Sequence, residues 1–315
     1  MSRQPRALVY AAGLACALAV TACTAAGGAG QAASAPTVAG RPMIEVGSFD
    51  FPESVTLAYL YADALADRGY PVRVVPDLGP RELVDPALMA GLIQLVPEYT
   101  GSALEFVTLG RVPATANVAA TAAALAMAMT WRGLVMGRAA AAQDGNAIVV
   151  TAATAARYRL RTISSLASVA NRLAFGGPPE CAERAYCLPG LRLTYGLRFR
   201  QFVALDADGP LTRQALAAGD IGAALLFTTD PAIAAQHLVV LADNEGLQPA
   251  ENVVPVLRRV TAERYGPGLQ AALDAVSARL TTAALAGMDA EVELGNVDPQ
   301  VAARQWLRAA GLAAP

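Results

Sequence analysis

The sequence predicts an α/β protein of two lobes, each a mostly parallel sheet flanked by helices. Three observations predict it. Strand-like and helix-like segments alternate along most of the chain, the order that lays parallel strands between layers of helix. The punctuation agrees: Gly69 closes the first helical stretch, and Asp144-Gly145 precedes a second run of alternating elements. The 315 residues, 55% of them hydrophobic, suffice for two lobes of about 100–150 residues each.

The elements follow in order. Residues 43–48 read as a strand. Residues 53–68 read as an amphipathic helix, because Val55, Leu57, Ala58, Leu60, Tyr61, Ala64 and Leu65 recur at spacings of three and four. A strand at 70–75, a short helix at 81–90, a strand at 92–96 and an Ala-rich helix at 115–131 come next. The second set opens with a strand at 146–151. It continues with a helix near 164–169, a strand at 172–175, a helix near 189–195 and a strand at 201–205. A helix at 211–218, a strand at 221–227, a short helix after Thr229-Asp230 and a strand at 237–241 complete it. A strand at 252–258 is followed only by helices, at 267–280, 284–294 and 299–310. No internal repeat is visible.

Ahead of this body, Arg3 and Arg6 precede an apolar run from Ala7 to Val20, which ends in Val20-Thr21-Ala22-Cys23. That is the layout of a secretory signal. The Cys after two small residues resembles the bacterial lipobox, in which the thiol is acylated and becomes the first mature residue. The expectation is a signal peptide over 1–22, then a lipid anchor at Cys23 and a flexible tether over 23–42. An ordinary signal peptide with an incidental Cys is the alternative. The apolar run of 14 residues is shorter than the roughly 20 a spanning helix needs.

Composition excludes several chemistries. All 24 basic residues are Arg and the net charge is −2. That leaves no basic footprint for nucleic acid and no Lys for a P-loop or a Schiff base. No metal or cofactor is implied. With Cys16 inside the signal and Cys23 taken by lipid, Cys181 and Cys187 remain as an even pair in an oxidising compartment, expected to form a disulfide. A metal pair is the alternative, but the single His, His237, does not complete a structural zinc site with two thiols.

Two segments carry the recognition signal. Gly47-Ser48-Phe49-Asp50-Phe51-Pro52-Glu53-Ser54 follows the first strand and opens the first helix. Pro97-Glu98-Tyr99-Thr100-Gly101-Ser102 again follows a strand and opens a helix. Ligands of open α/β sheets sit at such carboxyl ends of strands. Either segment alone also reads as a helix cap.

Together the two segments resemble the substrate-binding proteins of glycine betaine, choline and carnitine ABC importers. Further matches follow in order: Arg184, Pro189-Gly190-Leu191, Tyr195-Gly196-Leu197, Phe227-Thr228-Thr229-Asp230, Leu241-Ala242-Asp243-Asn244, and Pro249-Ala250-Glu251-Asn252-Val253-Val254-Pro255. The resemblance covers roughly residues 43–312. It implies a type II-like periplasmic-binding-protein fold with two crossover strands, near 146–151 and 252–258. Lobe one would be 43–145 plus 256–315, and lobe two 146–255. It also implies reversible capture of a small cationic or zwitterionic solute between the lobes, and docking on the permease subunits of an ABC importer. The receptor would lie outside the cytoplasm, held to the membrane by its lipid anchor.

The family cages quaternary ammonium groups among aromatic rings. Here Tyr99 matches one ring and Phe227 another, without a hydroxyl. The Tyr expected at the first crossover is Asn146, and the one expected before Asn252 is Glu251. Asp144 matches a family acid. The Lys common between Ser and Asp of the first motif is Phe49. The expected ligand-binding set is therefore Phe49, Phe51, Tyr99, Ser102, Asp144, Asn146, Arg184, Phe227, Asp230 and Glu251. Losing that Lys and gaining Glu251 favour a cation without a carboxylate, although Arg184 could still serve one. Phe49 and Phe51 could equally be core rings, and Asp144 and Glu251 solvated loop acids.

Two rival readings stay open. An exported hydrolase would need His237 as its base, yet no Ser or Cys motif lies near it. A lipoprotein sensor or scaffold that keeps the fold for a different ligand fits the reduced cage.

Overall fold

The structure, a computed structural model, describes residues 37–38 and 41–313. The signal peptide, Cys23 and most of the tether lie outside the described residues. Inside the tether stretch, β1 (Thr37–Val38) and β2 (Arg41–Pro42) form a short antiparallel ribbon.

In chain order the first lobe contains β3 (Ile44–Gly47), α1 (Pro52–Ala66), β4 (Val72–Val75), α2 (Arg81–Ala90), β5 (Leu95–Tyr99), α3 (Thr100–Thr108), α4 (Val118–Thr130) and β6 (Leu134–Met136). The second contains β7 (Asn146–Val150), α5 (Ala152–Tyr158), β8 (Ala174–Gly177), α6 (Leu188–Tyr195), β9 (Gln201–Ala204), α7 (Pro210–Ala218), β10 (Ala223–Phe227), α8 (Ala232–Ala235) and β11 (Val239–Val240). The chain returns through β12 (Val253–Arg258), which joins the first sheet. It ends in α9 (Arg259–Tyr265), α10 (Pro267–Ser277), α11 (Thr282–Glu293) and α12 (Pro299–Ala309).

The sheets run β4-β3-β5-β12-β6 and β11-β7-β10-β8-β9. Each is parallel where strands are linked by helices within a lobe: β3 beside β4 and β5, β8 beside β9 and β10. Each turns antiparallel at the strand delivered from the other lobe, β12 in the first and β7 in the second. Both sheets are therefore mixed. The first sheet holds the whole of β12, residues 253–255 included.

Side-chain alternation explains why the second sheet is covered on both faces. Ile148, Val150, Ala223 and Leu225 point into one core, and Ala147, Val149, Ala224 and Leu226 into another. In the first lobe, α1 is buried on nearly all sides and is not amphipathic. Leu57, Leu60, Tyr61 and Leu65 are fully buried, and the Tyr61 hydroxyl lies 2.9 Å from Ser277 Oγ. The C-terminal helices α10, α11 and α12 pack against it, so its outer face meets protein and not water. The stretch near 164–169 is a 3-10 turn, Ile163–Ser168, opened by a capping box of Thr162 and Ser165. Short elements at β6, α5 and α9 went unanticipated.

Cys181 and Cys187 form a disulfide with a Cα–Cα separation of 5.2 Å, and both are buried. No helix among the described residues is long and apolar enough to cross a membrane.

Candidate functional site

Two linking segments, 137–145 outbound and 249–252 returning, run antiparallel between the lobes. Ala140 N donates to Val253 O at 2.8 Å, Val253 N to Ala142 O at 3.0 Å, and Asp144 N to Glu251 O at 3.1 Å. Asn252 fixes the return: its Nδ2 donates to Ala140 O at 2.8 Å, and its backbone N to Thr100 Oγ1 at 3.1 Å. This pairing sets Asp144 and Glu251 side by side on the wall of a pocket lined from both lobes.

Aromatic rings form much of that wall. Phe51, in the turn between β3 and α1, is the hub. Its ring centroid lies 5.9 Å from Phe49, 6.1 Å from Tyr99 and 5.1 Å from Phe227, the last a contact between lobes. Phe106 and Tyr186 also line the pocket. Ring faces that exclude water and present a negative quadrupole are suited to a methylated ammonium group, which has no N–H to donate.

The acids are held firmly. Glu251 sits at the start of α3, where Oε2 accepts from Gly101 N and Ser102 N, both at 3.0 Å, and Oε1 accepts from Ser102 Oγ at 2.6 Å. Burial nevertheless pushes its carboxyl up to about 7, against the pull of these donors and of Arg81. Asp144 Oδ1 accepts from Thr228 Oγ1 and Thr229 N, both at 3.1 Å, and burial raises it to about 6. Behind Tyr99 lies Glu53. It accepts from the Tyr99 hydroxyl at 2.5 Å and, across the lobe seam, from Thr229 Oγ1 at 2.7 Å. Burial, then the charges of Asp144 and Asp289, hold Glu53 well above the usual carboxylate range.

Six acids line the pocket (Asp50, Glu82, Glu105, Asp144, Glu180 and Glu251) against two arginines, Arg81 and Arg184. Both arginines are engaged. Arg81 makes a buried two-armed pair with Glu98, Nε to Oε1 and Nη2 to Oε2 at 2.9 Å each. Arg184 reaches from the disulfide loop across the mouth to Glu82 of the other lobe at 3.0 Å, and lies 3.6 Å from Glu180.

The structure thus gathers Phe49, Phe51, Tyr99, Ser102, Asp144, Asn146, Arg184, Phe227 and Glu251 around one pocket. Asn146 faces it while its Nδ2 donates to Tyr186 O at 3.2 Å and Gln248 Oε1 at 3.1 Å, which ties the disulfide loop to the crossover. Asp230 does not line it. Its carboxylate turns away to accept from Ala232 N at 2.7 Å and to pair with Arg213 at 3.1 Å, capping the short turn of α8. His237 is exposed and likewise not among the lining residues.

Sequence reading missed Arg81, Glu105, Phe106 and Tyr186. Three had a legible signal. Arg81 opens α2 just beyond the carboxyl end of β4, at the same kind of junction as the two motifs. Glu105 and Phe106 fall three and four residues past Ser102, on the same helical face. With Phe106 and Tyr186 the pocket is lined by six aromatic rings.

Residues 42–309 match the OpuAC family, the substrate binding domain of ABC-type glycine betaine transport systems. Among curated relatives, the chain is similar to the glycine-betaine-binding protein of Pseudomonas aeruginosa, 27% identical over 84% of this chain and 87% of that one. It is equally similar to the glycine betaine-binding protein YehZ of Escherichia coli K12, 27% identical over 89% and 94%. In fold it resembles the crystal structure of a glycine betaine/carnitine/choline ABC transporter protein, with a TM-score of 0.67 at 20% identity, over 85% of this chain and 99% of the other. The mixed five-stranded sheets, the paired crossovers and the match over nearly the whole described body lead to one assignment: the chain belongs to the substrate-binding domain family of ABC-type glycine betaine transport systems.

Proposed function

We propose that this chain captures a small methylated ammonium cation lacking a carboxylate, choline being the test case, and delivers it to the permease of an ABC importer. One observation supports the reading above others: six aromatic rings and six acids surround a pocket whose two arginines are already paired with protein carboxylates. A quaternary cation gains ring contacts and charge neutralisation there. A ligand carboxylate meets excess negative charge and no unpaired guanidinium. Capture is a lobe closure that needs no bond chemistry. The protein acts outside the cytoplasm, with Cys23 as its lipid anchor raising the local concentration of receptor near the permease.

Calorimetric titration with choline, carnitine and glycine betaine tests the ligand reading. Choline binding at least about tenfold tighter than betaine is the expected result. Tight betaine binding with choline silent sinks it. For the anchor, Cys23→Ser is expected to release the protein from the membrane fraction.

A second reading, a zwitterion receptor, is favoured by the names of the two relatives and by Arg184. That guanidinium stands at the mouth, about a third exposed, where it could exchange Glu82 for a ligand carboxylate. The same titration separates the two readings.

A further inference from the structure

Arg81 is a cation placed where a carboxylate-bearing ligand would need one, yet it is withheld. It is the first residue of α2, it lines the pocket, and its Cζ lies 4.9 Å from the Phe49 ring centroid, so an aromatic ring covers one face. Its Nε and Nη2 both go to Glu98. The two side chains are 7% and 0% exposed, which excludes water as a competitor for either. Burial opposes the charge of Arg81; Glu98 first, then Asp85 and Glu251, outweigh it and keep the guanidinium above its ordinary pKa. Glu98 cannot readily swing away either. Its Oε2 also accepts from Tyr99 N at 2.9 Å, so the carboxylate is fixed by the backbone of the segment that positions the Tyr99 ring. The fork-to-fork pair takes two of the five N–H donors of the guanidinium and offsets its charge, so a ligand carboxylate would meet Nη1 without a net counter-charge.

We propose that Glu98 is a specificity lock: by pairing with Nε and Nη2 of Arg81 and offsetting its charge it denies a ligand carboxylate its counterion, and so sets the preference of the pocket for cations over zwitterions. The inference deepens the functional reading above and rests on it. Glu98 acts through Arg81 and touches no ligand, so it is a positioning residue.

The test is Glu98→Gln. The amide keeps the shape and an acceptor oxygen, and removes the charge and one arm of the fork. Choline and glycine betaine are titrated into wild type, Glu98→Gln and the double variant Arg81→Gln/Glu98→Gln, with circular dichroism as the check on folding. In Glu98→Gln the ratio of betaine to choline affinity is expected to rise by about tenfold or more, since one charge-assisted pair becomes available to the ligand. The double variant is expected to lose that gain, a dependence that a merely structural role for Glu98 would not produce. A ratio within about threefold of wild type, or a gain that survives in the double variant, overturns the lock. If Glu98→Gln fails to fold, Glu98→Asp, which shortens and weakens the fork, is judged by the same ratio. Wild type that binds neither compound overturns the receptor reading first, and the lock with it.

Discussion

Glu251→Gln isolates one charge in the pocket with almost no change of shape. Glu251 takes two backbone N–H groups on Oε2 and the Ser102 hydroxyl on Oε1. A glutamine can keep its oxygen on the two N–H groups and donate from its amide to Ser102 Oγ, because a hydroxyl both donates and accepts. Burial raises the wild-type carboxyl from 4.5 to about 7. About one-tenth of it is then ionised at pH 6 and about nine-tenths at pH 8. A cation binds the ionised form preferentially, so choline affinity in wild type is expected to rise up to about tenfold from pH 6 to pH 8, flattening above pH 7. Choline carries no group that titrates in this window, so the slope belongs to the protein. Glu251→Gln is expected to bind choline more weakly at pH 8 and with little pH dependence above pH 6; Asp144, near 6, adds its own slope below that. Folding changes in the opposite sense. A carboxyl raised in the folded state favours folding fully below the unfolded value and loses that contribution as pH climbs through 7, about 3 kcal/mol by pH 8. The variant should therefore be no less stable than wild type at pH 8. Titration calorimetry at several pH values is the assay. A flat wild-type profile, or an equal slope in Glu251→Gln, refutes the reasoning.

Three substitutions and one ligand analogue follow from the same geometry. Asp289 is buried beside Glu53, and burial, then the charges of Asp144, Glu293 and Asp208, outweigh the hydrogen bond with Glu53 and raise its pKa well above the usual range. Its contribution is full at low pH and is lost as pH rises through the folded value. Asp289→Asn is thus expected to raise the melting temperature at pH 8 by at least about 2–4 °C and barely change it at pH 4; melting curves parallel to wild type at every pH would count against this. Opening the disulfide with Cys181→Ser/Cys187→Ser is expected to lose up to about 2.4 kcal/mol by loop entropy. It should also weaken ligand binding, because the loop carries Arg184 and Tyr186 into the pocket. Chemical denaturation and calorimetry read the two effects separately. Arg213 Nη1 lies 3.1 Å from Asp230 in its own lobe and 2.6 Å from Glu293 in the other, so Arg213→Gln is expected to speed ligand release about tenfold or more in stopped-flow measurements. Choline's neutral isostere, 3,3-dimethyl-1-butanol, should fill the rings yet bind at least about tenfold more weakly than choline, as a competition assay would show.

The fold was legible where the chain repeats a simple device, a strand whose carboxyl end turns directly into a helix. Phe49–Glu53 and Glu98–Ser102 are two such turns, and both reached the pocket because that junction is the geometry the motifs describe. What the sequence hid depends on contacts between residues far apart. That α1 is enclosed depends on helices more than 200 positions later, so its hydrophobic pattern looked one-sided when it was not. Asp230 pairs with Arg213 of α7 and does not line the pocket, and no local pattern announces that pair. Tyr186 was passed over because its position depends on a disulfide and on Asn146 and Gln248 gripping its carbonyl. Two further rings of the pocket lining, Phe106 and Tyr186, come from a helix face and a loop outside the motifs.

Closure in such a receptor must be conditional, because a lobe pair that shuts equally well without ligand signals nothing to a permease. The seam carries opposing contributions. Lobe one brings Glu53, Asp289 and Glu293 to it, lobe two brings Asp208 and Asp230, and Asp144 stands at the crossover. Apolar contact, Phe51 on Phe227, and the bonds Thr229 to Glu53 and Arg213 to Glu293 pull the lobes together. Glu53, Asp144, Asp208, Asp289 and Glu293 push the other way, since burial first raises the pKa of each and so opposes its ionising. Where such terms nearly cancel, a single added charge would shift closure. Under the proposed function, a methylated cation would supply that charge on the pocket side of Asp144 while its methyl groups filled the space among the rings, so the features that recognise the ligand would also favour the closed state. The neutral isostere offers the second contribution without the first, and on this account shape alone is not sufficient to shut the lobes.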